Sequence, residues 1–325
     1  MTAARQFQSG PAVWRSGDLA TDEGVVVLTA AQRDAIVAAT MAARARGVTV
    51  ATIDRQQFPL PTMGDALLQW VRALAEGRGF LLLRDFPIDL LPDEDAVALA
   101  YAGLGTHFGR PVGQNKDGEL LTHVRDERLP PDAGKVRLYR TRERQDFHTD
   151  GADIIGLLCL HTALRGGESR IVSSGALYNA ILRTRPDLLE ALYTTMAWDR
   201  QGDVRAGELP YFMLAPINDL AGTPRVFYLG WYIRDAQVHA EVPRLSDAQL
   251  EAMALLEGLA NDPTFHLEMD FRPGDVQLLN NGRILHAREA YDDADDPAER
   301  RHLLRLWLAA HDFASVEAGL RGGIA

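Results

Sequence analysis

The 325 residues contain one cysteine, Cys159, so no internal disulfide can staple the fold and stability must come from an apolar core. Cys159 stands in the apolar run Ile154 to His161, where a buried, inert thiol is expected rather than a nucleophile. No stretch approaches the roughly 18 apolar residues of a membrane span. Residues 1–14 lack the apolar segment of a secretion signal, so a cytoplasmic protein is expected. Positive charge is also scarce: 34 basic against 45 acidic side chains give −11, and no basic run offsets it. That balance repels nucleic acid and anionic membrane surfaces. Neither an internal repeat nor a low-complexity segment occurs.

What is present is the mixture of a soluble globular protein, 46% hydrophobic and 24% charged. The pattern changes near residue 118. Before it, Thr29 and Gln32 form a capping box opening a helix to about residue 46, with further helices over about 64–77 and 93–105. A buried strand is expected at 79–84. After residue 118, short apolar runs separated by Gly, Pro, Asp and Asn predict strands at 120–124, 154–160, 226–233, 265–271, 275–279 and 302–309. Helices are expected after Ser174, near 187–194, and from a capping box at Ser246 and Gln249 with Leu245 and Leu250 as its staple. The expectation is one domain over 1–325, mainly β with flanking and inserted helices, in which 1–118 is a mainly helical N-terminal part. The sequence does not set the oligomeric state, and a homo-oligomer is compatible with it.

His148-Thr149-Asp150 places an imidazole and a carboxylate at i and i+2, on one face if the segment is extended. Such a pair suits Fe(II), and a second histidine would complete a set that leaves metal positions open. Taken alone the motif is weak. Roughly one His-x-Asp/Glu match is expected by chance, and His239-Ala240-Glu241 and His266-Leu267-Glu268 also occur. Its surroundings separate it from those two. Downstream, a turn, a strand and a polar turn lead to His286, and Arg301 and Arg305 then share one face of a strand whose other face carries Leu304, Leu306 and Leu308. A guanidinium presents paired donors matched to a carboxylate.

With the Gly79–Phe86, Leu104–Val112 and Gly166–Ser169 segments and the His286–Arg305 block, the chain resembles the clavaminate synthase-like, taurine dioxygenase (TauD/TfdA) type of Fe(II)/2-oxoglutarate oxygenase from about Gly79 to His311. The resemblance implies a double-stranded β-helix (jelly-roll) core with Fe(II) held by His148, Asp150 and His286. It also implies 2-oxoglutarate anchored by Arg301 and Ser169, O₂ as second co-substrate, and Arg305 turned toward substrate. Asn115 and His123 fall where the family contacts substrate. Arg300 is expected to point away. The implied reaction is C–H oxidation, usually hydroxylation, of a small polar, anionic or amino-acid-like metabolite with release of succinate and CO₂. A metal-dependent hydrolase and a non-catalytic metal- and dicarboxylate-binding barrel are the alternatives. Arg142, Arg144 and Gln145 read as entrance or as solvated loop, Trp231 and Trp307 as core filling, and the run of aspartates at 292–296 as a solvated loop.

Overall fold

The computed structural model describes residues 5–129, 136–220 and 222–311. Two β-sheets carry the architecture. The larger has seven strands, in the order Val25–Val27, Phe80–Arg84, Val276–Asn280, Ile154–His161 and His302–Ala310, with Gly109–Pro111 and Leu121–Val124 both pairing to the last. The smaller has four antiparallel strands, His266–Met269, Ser169–Ser173, Ile284–Arg288 and Gln145–His148.

Period-two alternation gives each strand an inner and an outer face. On the larger sheet Leu304, Leu306, Leu308, Leu158, Val276 and Leu278 point outward into a core shared with the N-terminal helices Ala30–Ala45, Gly64–Ala75 and Glu94–Gly105. On the smaller sheet Phe147, Val172, Leu285 and Ala287 point outward to helices Ser174–Thr184, Pro186–Leu192 and Asp247–Asn261. Between the sheets Phe80, Ile155 and Leu279 meet Ile171, Met269 and Ile284 in an apolar plug that closes one end of the jelly roll. The other end is lined by polar side chains.

Both capping boxes form: Gln32 N–H donates to Thr29 Oγ1 at 3.3 Å and Gln249 N–H to Ser246 Oγ at 3.2 Å. The expected staple does not. Leu245 packs at the edge of the core while Leu250 is exposed. The strand expected at 226–233 is also corrected. The chain leaves the strand at Val226, meets Thr149 at Tyr228, whose carbonyl accepts from the Thr149 N–H and whose N–H donates to Thr149 Oγ1, both at 2.8 Å, and forms the helix Gly230–Asp235. Its aromatic density satisfies strand propensity, but Trp231 and Tyr232 face a cavity while Ile233 faces the core, which a short helix provides. No helix among the described residues is long and apolar enough to cross a membrane.

The helix Glu94–Gly105 lies so close to the Phe58 ring that a Cβ on Gly103 would stand 2.4 Å from it. Overpacking of this kind costs about 1–3 kcal/mol, against a helix-propensity gain of at most about 1 kcal/mol. Gly103→Ala is therefore expected to lower the urea midpoint. Gly258→Ala, in a helix with open space around the position, is expected to raise it. Equal responses at the two positions would contradict this packing.

Candidate metal centre and co-substrate pocket

Strand register brings the two distant histidines together: His286 lies directly opposite His148 across the sheet. Their ring centroids are 4.2 Å apart. The strand ends at His148, and the chain turns so that Asp150 swings under both rings, with Asp150 Oδ1 3.9 Å from His148 Nε2 and Oδ2 3.7 Å from His286 Nε2. All three are buried, and one ligand atom from each lies within 4.8 Å of the others. Asn281 fixes the turn. Its Oδ1 accepts from Asp150 N–H at 3.0 Å and its Nδ2 donates to the Ala152 carbonyl at 2.8 Å.

The donor set is prepared for a cation. The Asp146 carbonyl, 2.8 Å from His148 Nδ1, accepts a hydrogen bond from the Nδ1–H tautomer and so leaves the lone pair on Nε2, 3.9 Å from Asp150 Oδ1. The Gln145 amide sits 3.1 Å from that Nε2. Burial pushes His286 down to about 3, with His148 adding to the shift, and pushes His148 below its ordinary value, so both rings are neutral ligands at pH 7. Burial alone would raise Asp150. Arg305 Nη1 at 3.4 Å and the Trp307 indole N–H at 3.1 Å, both on Oδ2, help hold it below the ordinary carboxylate range.

Next to the triad is a narrow cavity of about 40 Å³ lined by Ser169, Arg288, Arg301, Leu303 and Arg305 with both histidines. Arg301 is buried against Tyr291, its guanidinium 5.0 Å from the ring, and donates to the Gly167 carbonyl at 3.4 Å. Gly167 has φ +77, and a Cβ there would meet Arg301 Nε at 2.9 Å. The double glycine thus exists to let the guanidinium through. Ser169 Oγ hydrogen-bonds the buried Gln277 amide at 3.1 Å.

Sequence reading missed Arg288. It is the cross-strand partner of Ser169, is buried, and lies 5.1 Å from the same Tyr291 ring. The signal was available, since Arg288 sits two residues after His286 on one strand and therefore on the same face. Arg288 Nε and Nη1 and Arg301 Nη1 are buried with no hydrogen-bond partner among the described residues. Burial and the neighbouring Arg301 push Arg288 down to about 10.

A second, larger cavity of about 550 Å³ opens from the first, with Tyr139, Gln145 and Arg305 on the boundary of both. Trp231 and Trp307 pack against the core, as expected, and also line this cavity: Trp231 packs edge-on to His148 and Trp307 donates to Asp150. Asn115 reaches its rim, but its amide is committed to Glu119 at 2.7 Å and to the 117–119 backbone. His123 lines neither cavity. It alternates to the outer face of the larger sheet and stacks on His302. Arg300 points away, to the Ala294 and Asp295 carbonyls. Arg144 pairs with Asp146 at 3.0 Å, whereas Gln145 turns inward. Asp293 is not simply solvated, since it accepts from the Arg301 backbone N–H at 2.6 Å. The two rival motifs resolve as structural pairs, His239 with Asp199 at 2.9 Å and His266 with the Ala260 carbonyl at 3.0 Å. Cys159 is buried and its thiol is pushed up to about 12 by burial, as an inert thiol should be.

Residues 44–307 match the model of the taurine catabolism dioxygenase TauD, TfdA family. The chain belongs to this family. As a member it is a dioxygenase that works with Fe(II) and 2-oxoglutarate. It is similar to FR-33289 synthase of Streptomyces rubellomurinus (strain ATCC 31215), 32% identical over 310 residues that cover 92% of this chain and 89% of that one. Among solved structures, asparagine oxygenase in complex with Fe(II), 2S,3S-3-hydroxyasparagine and succinate superposes with a TM-score of 0.65 at 15% identity, over 88% of this chain and 93% of that one. The non-haem iron oxygenase OrfP with Fe and alpha-ketoglutaric acid gives 0.64 at 15%, over 88% and 94%. At that identity the two structures speak for the jelly-roll fold.

The neutral, buried histidines have a measurable consequence in the metal-free protein. His286 has a folded value of about 3 against an ordinary unfolded value of about 6.5. Its depressed value means stability is fully present above pH 6.5 and is lost as pH falls toward 3, because only the unfolded chain takes the proton, at about 1.4 kcal/mol per pH unit. Between pH 7.5 and 5.5 the urea midpoint of the wild type is expected to fall further than that of His286→Gln. Parallel slopes would show that folding leaves the protonation of His286 unchanged and would contradict its lowered value.

Proposed function

We propose that His148, Asp150 and His286 hold Fe(II), that Arg301 and Arg288 receive the distal carboxylate of 2-oxoglutarate, and that the larger cavity admits a small anionic substrate for C–H oxidation. The observation that carries this reading is the set of partnerless donors on Arg288 and Arg301, buried across a narrow cavity from two neutral histidines and a carboxylate. Buried guanidinium donors left unpaired cost several kcal/mol, and a carboxylate arriving there removes the cost.

The residues fit the two groups. Two imidazole nitrogens and one carboxylate are the donor types of an open non-haem iron site. When bound, the iron supplies the activation of O₂ and the oxidising power for C–H cleavage, which no side chain here has. The chain does the rest. Asp146 and Asn281 orient the ligands, and Arg305 with Trp307 occupies Asp150 Oδ2 so that Oδ1 is the free ligand atom. Ser169 lies beside Arg301 to hydrogen-bond the co-substrate carboxylate. The narrow cavity shares Tyr139, whose ring lies 4.9 Å from the Arg305 guanidinium, with the larger one. Aromatic side chains, four arginines (Arg137, Arg200, Arg205, Arg305) and three aspartates (Asp150, Asp203, Asp235) line the larger cavity, with Arg137 paired to Asp203 at 2.7 Å and Arg305 to Asp150 at 3.4 Å. That charged lining, with one cation in excess, suits a polar, amino-acid-like or anionic compound over a neutral apolar one. A cytoplasmic setting suits a chain whose single thiol is buried and reduced.

Anaerobic titration of the Fe(II) protein with 2-oxoglutarate is expected to develop the visible charge-transfer band of the complex. His148→Ala and Asp150→Ala should abolish it. Arg301→Ala should raise the co-substrate concentration needed by roughly 10- to 100-fold, since a charge-assisted hydrogen bond contributes about 1.5–3 kcal/mol, and Arg288→Ala should raise it in the same direction. A folded, iron-loaded wild type with no band would refute the co-substrate assignment. A band without succinate on adding O₂ and a panel of anionic metabolites would leave a binding barrel, and stimulation by neutral apolar compounds alone would remove the anionic substrate.

A further inference from the structure

Outside the oxygenase centre, three metal-binding side chains from three separate elements converge on the outer face of the larger sheet. Glu94 comes from the first turn of the helix Glu94–Gly105, His123 from the strand Leu121–Val124 and His302 from the strand His302–Ala310. His123 Nδ1 and His302 Nε2 are 2.7 Å apart, Glu94 Oε1 is 3.6 Å from the first and 3.9 Å from the second. Tetrahedral donors about 2.0 Å from Zn(II) stand roughly 3.3 Å apart, so a small rotation of the His123 ring that opens the 2.7 Å pair, with the ion replacing the proton the two nitrogens share, brings all three atoms to bonding separation.

We propose that Glu94, His123 and His302 form a second site for a divalent transition ion of the zinc type, distinct from the iron centre, with water completing a four-coordinate sphere on the solvent side. Glu94 and His123 are partly exposed, which gives an ion access, while His302 is nearly buried and anchors the site to the sheet. A register shift at His302, opposite His161, is the kind of bulge that re-aims a side chain. Burial keeps His302 neutral, pushing it down to about 3, so its lone pair is available. Arg125 is near enough to oppose a cation, and Asp93 and Asp95 flank Glu94 to offset it, although Asp93 is itself paired with Arg44.

The consequence is mechanical. His302 directly follows Arg301, so an ion here ties the strand that carries Arg301 and Arg305 to a helix of the outer layer, behind the co-substrate pocket rather than in it. This site does not depend on the assignment of iron or 2-oxoglutarate.

Co(II) provides the readout, because four-coordinate Co(II) has intense visible bands and is displaced by Zn(II). In a His148→Ala/Asp150→Ala protein, which lacks the inner ligand set, Co(II) is expected to bind with one equivalent and such a spectrum. Adding His123→Gln should weaken that binding at least tenfold, Glu94→Gln should weaken it as well, and Zn(II) should raise the thermal midpoint only where His123 is intact. Should the double variant not fold, the stoichiometry of the wild type serves: two equivalents of Co(II), falling to one in His123→Gln. Absence of the spectrum, or Co(II) affinity unchanged by His123→Gln, would overturn the site and leave His123 and His302 as a hydrogen-bonded pair.

Discussion

The negative charge of Asp150, buried in the jelly roll, is the constraint around which the inner face is organised. An ionised carboxylate out of water is expensive unless partners are already in place. Here Oδ2 takes the Arg305 guanidinium and the Trp307 indole N–H, and the backbone of Asp150 is clamped by Asn281. Arg305 and Trp307 come from one strand, His302–Ala310, and Asn281 from the turn after Val276–Asn280, so these two segments must be in register before the charge is tolerated. Arg305 is held in turn, its Nε donating to Gln114 at 2.8 Å while the Gln114 amide donates back to the Arg305 carbonyl. Asp150 is thereby presented with Oδ2 occupied by Arg305 and Trp307 and 3.7 Å from His286 Nε2, and with Oδ1 left toward His148 Nε2 at 3.9 Å without a hydrogen-bond donor of its own among the described residues.

On the far side of the histidines the charge is of the opposite sign. Arg288 and Arg301 share one aromatic ring, no carboxylate among the described residues lines their pocket, and burial with the neighbouring Arg301 lowers the proton affinity of Arg288. The inner face therefore contains an anionic half at Asp150 and a cationic half at Arg288 and Arg301, with the histidines between them. A ligand that chelates a metal at one end and carries a carboxylate at the other satisfies both halves at once. An inorganic ion at either end satisfies only one.

How much of this could be read from the chain depended on whether the signal was local. Thr29 with Gln32 and Ser246 with Gln249 announced their helices because a cap is decided within four residues. The Leu304, Leu306 and Leu308 alternation announced a two-faced strand for the same reason, and it also located Arg301, Arg305 and the outward Arg300. His148 and His286 were legible as ligand types, but their direct opposition is a fact of register across 137 intervening positions and belongs to the sheet. Helix 230–235 was misread because aromatic residues beside a cavity and β-branched residues in a strand give the same local pattern. His123 was misplaced because one position along a strand reverses the face. Trp231 and Trp307 were assigned to the core on size, yet each serves the site through one edge while its body remains packed.

That reversal of face makes the strand His302–Ala310 the element on which the molecule's functions meet. With Arg301 just ahead of it, its inner positions run Arg301, Leu303, Arg305, Trp307, which serve in order the cationic pocket, the pocket wall, the carboxylate clamp and the cavity lining. Its outer positions run His302, Leu304, Leu306, Leu308, the first beside Glu94 and His123 and the rest in the apolar core beneath the helices. A sideways shift of the strand would have to displace both sets together, and the outer set is close-packed against three helices. The rigidity that the roles proposed for Arg301 and Arg305 require is therefore supplied from the face turned away from both cavities.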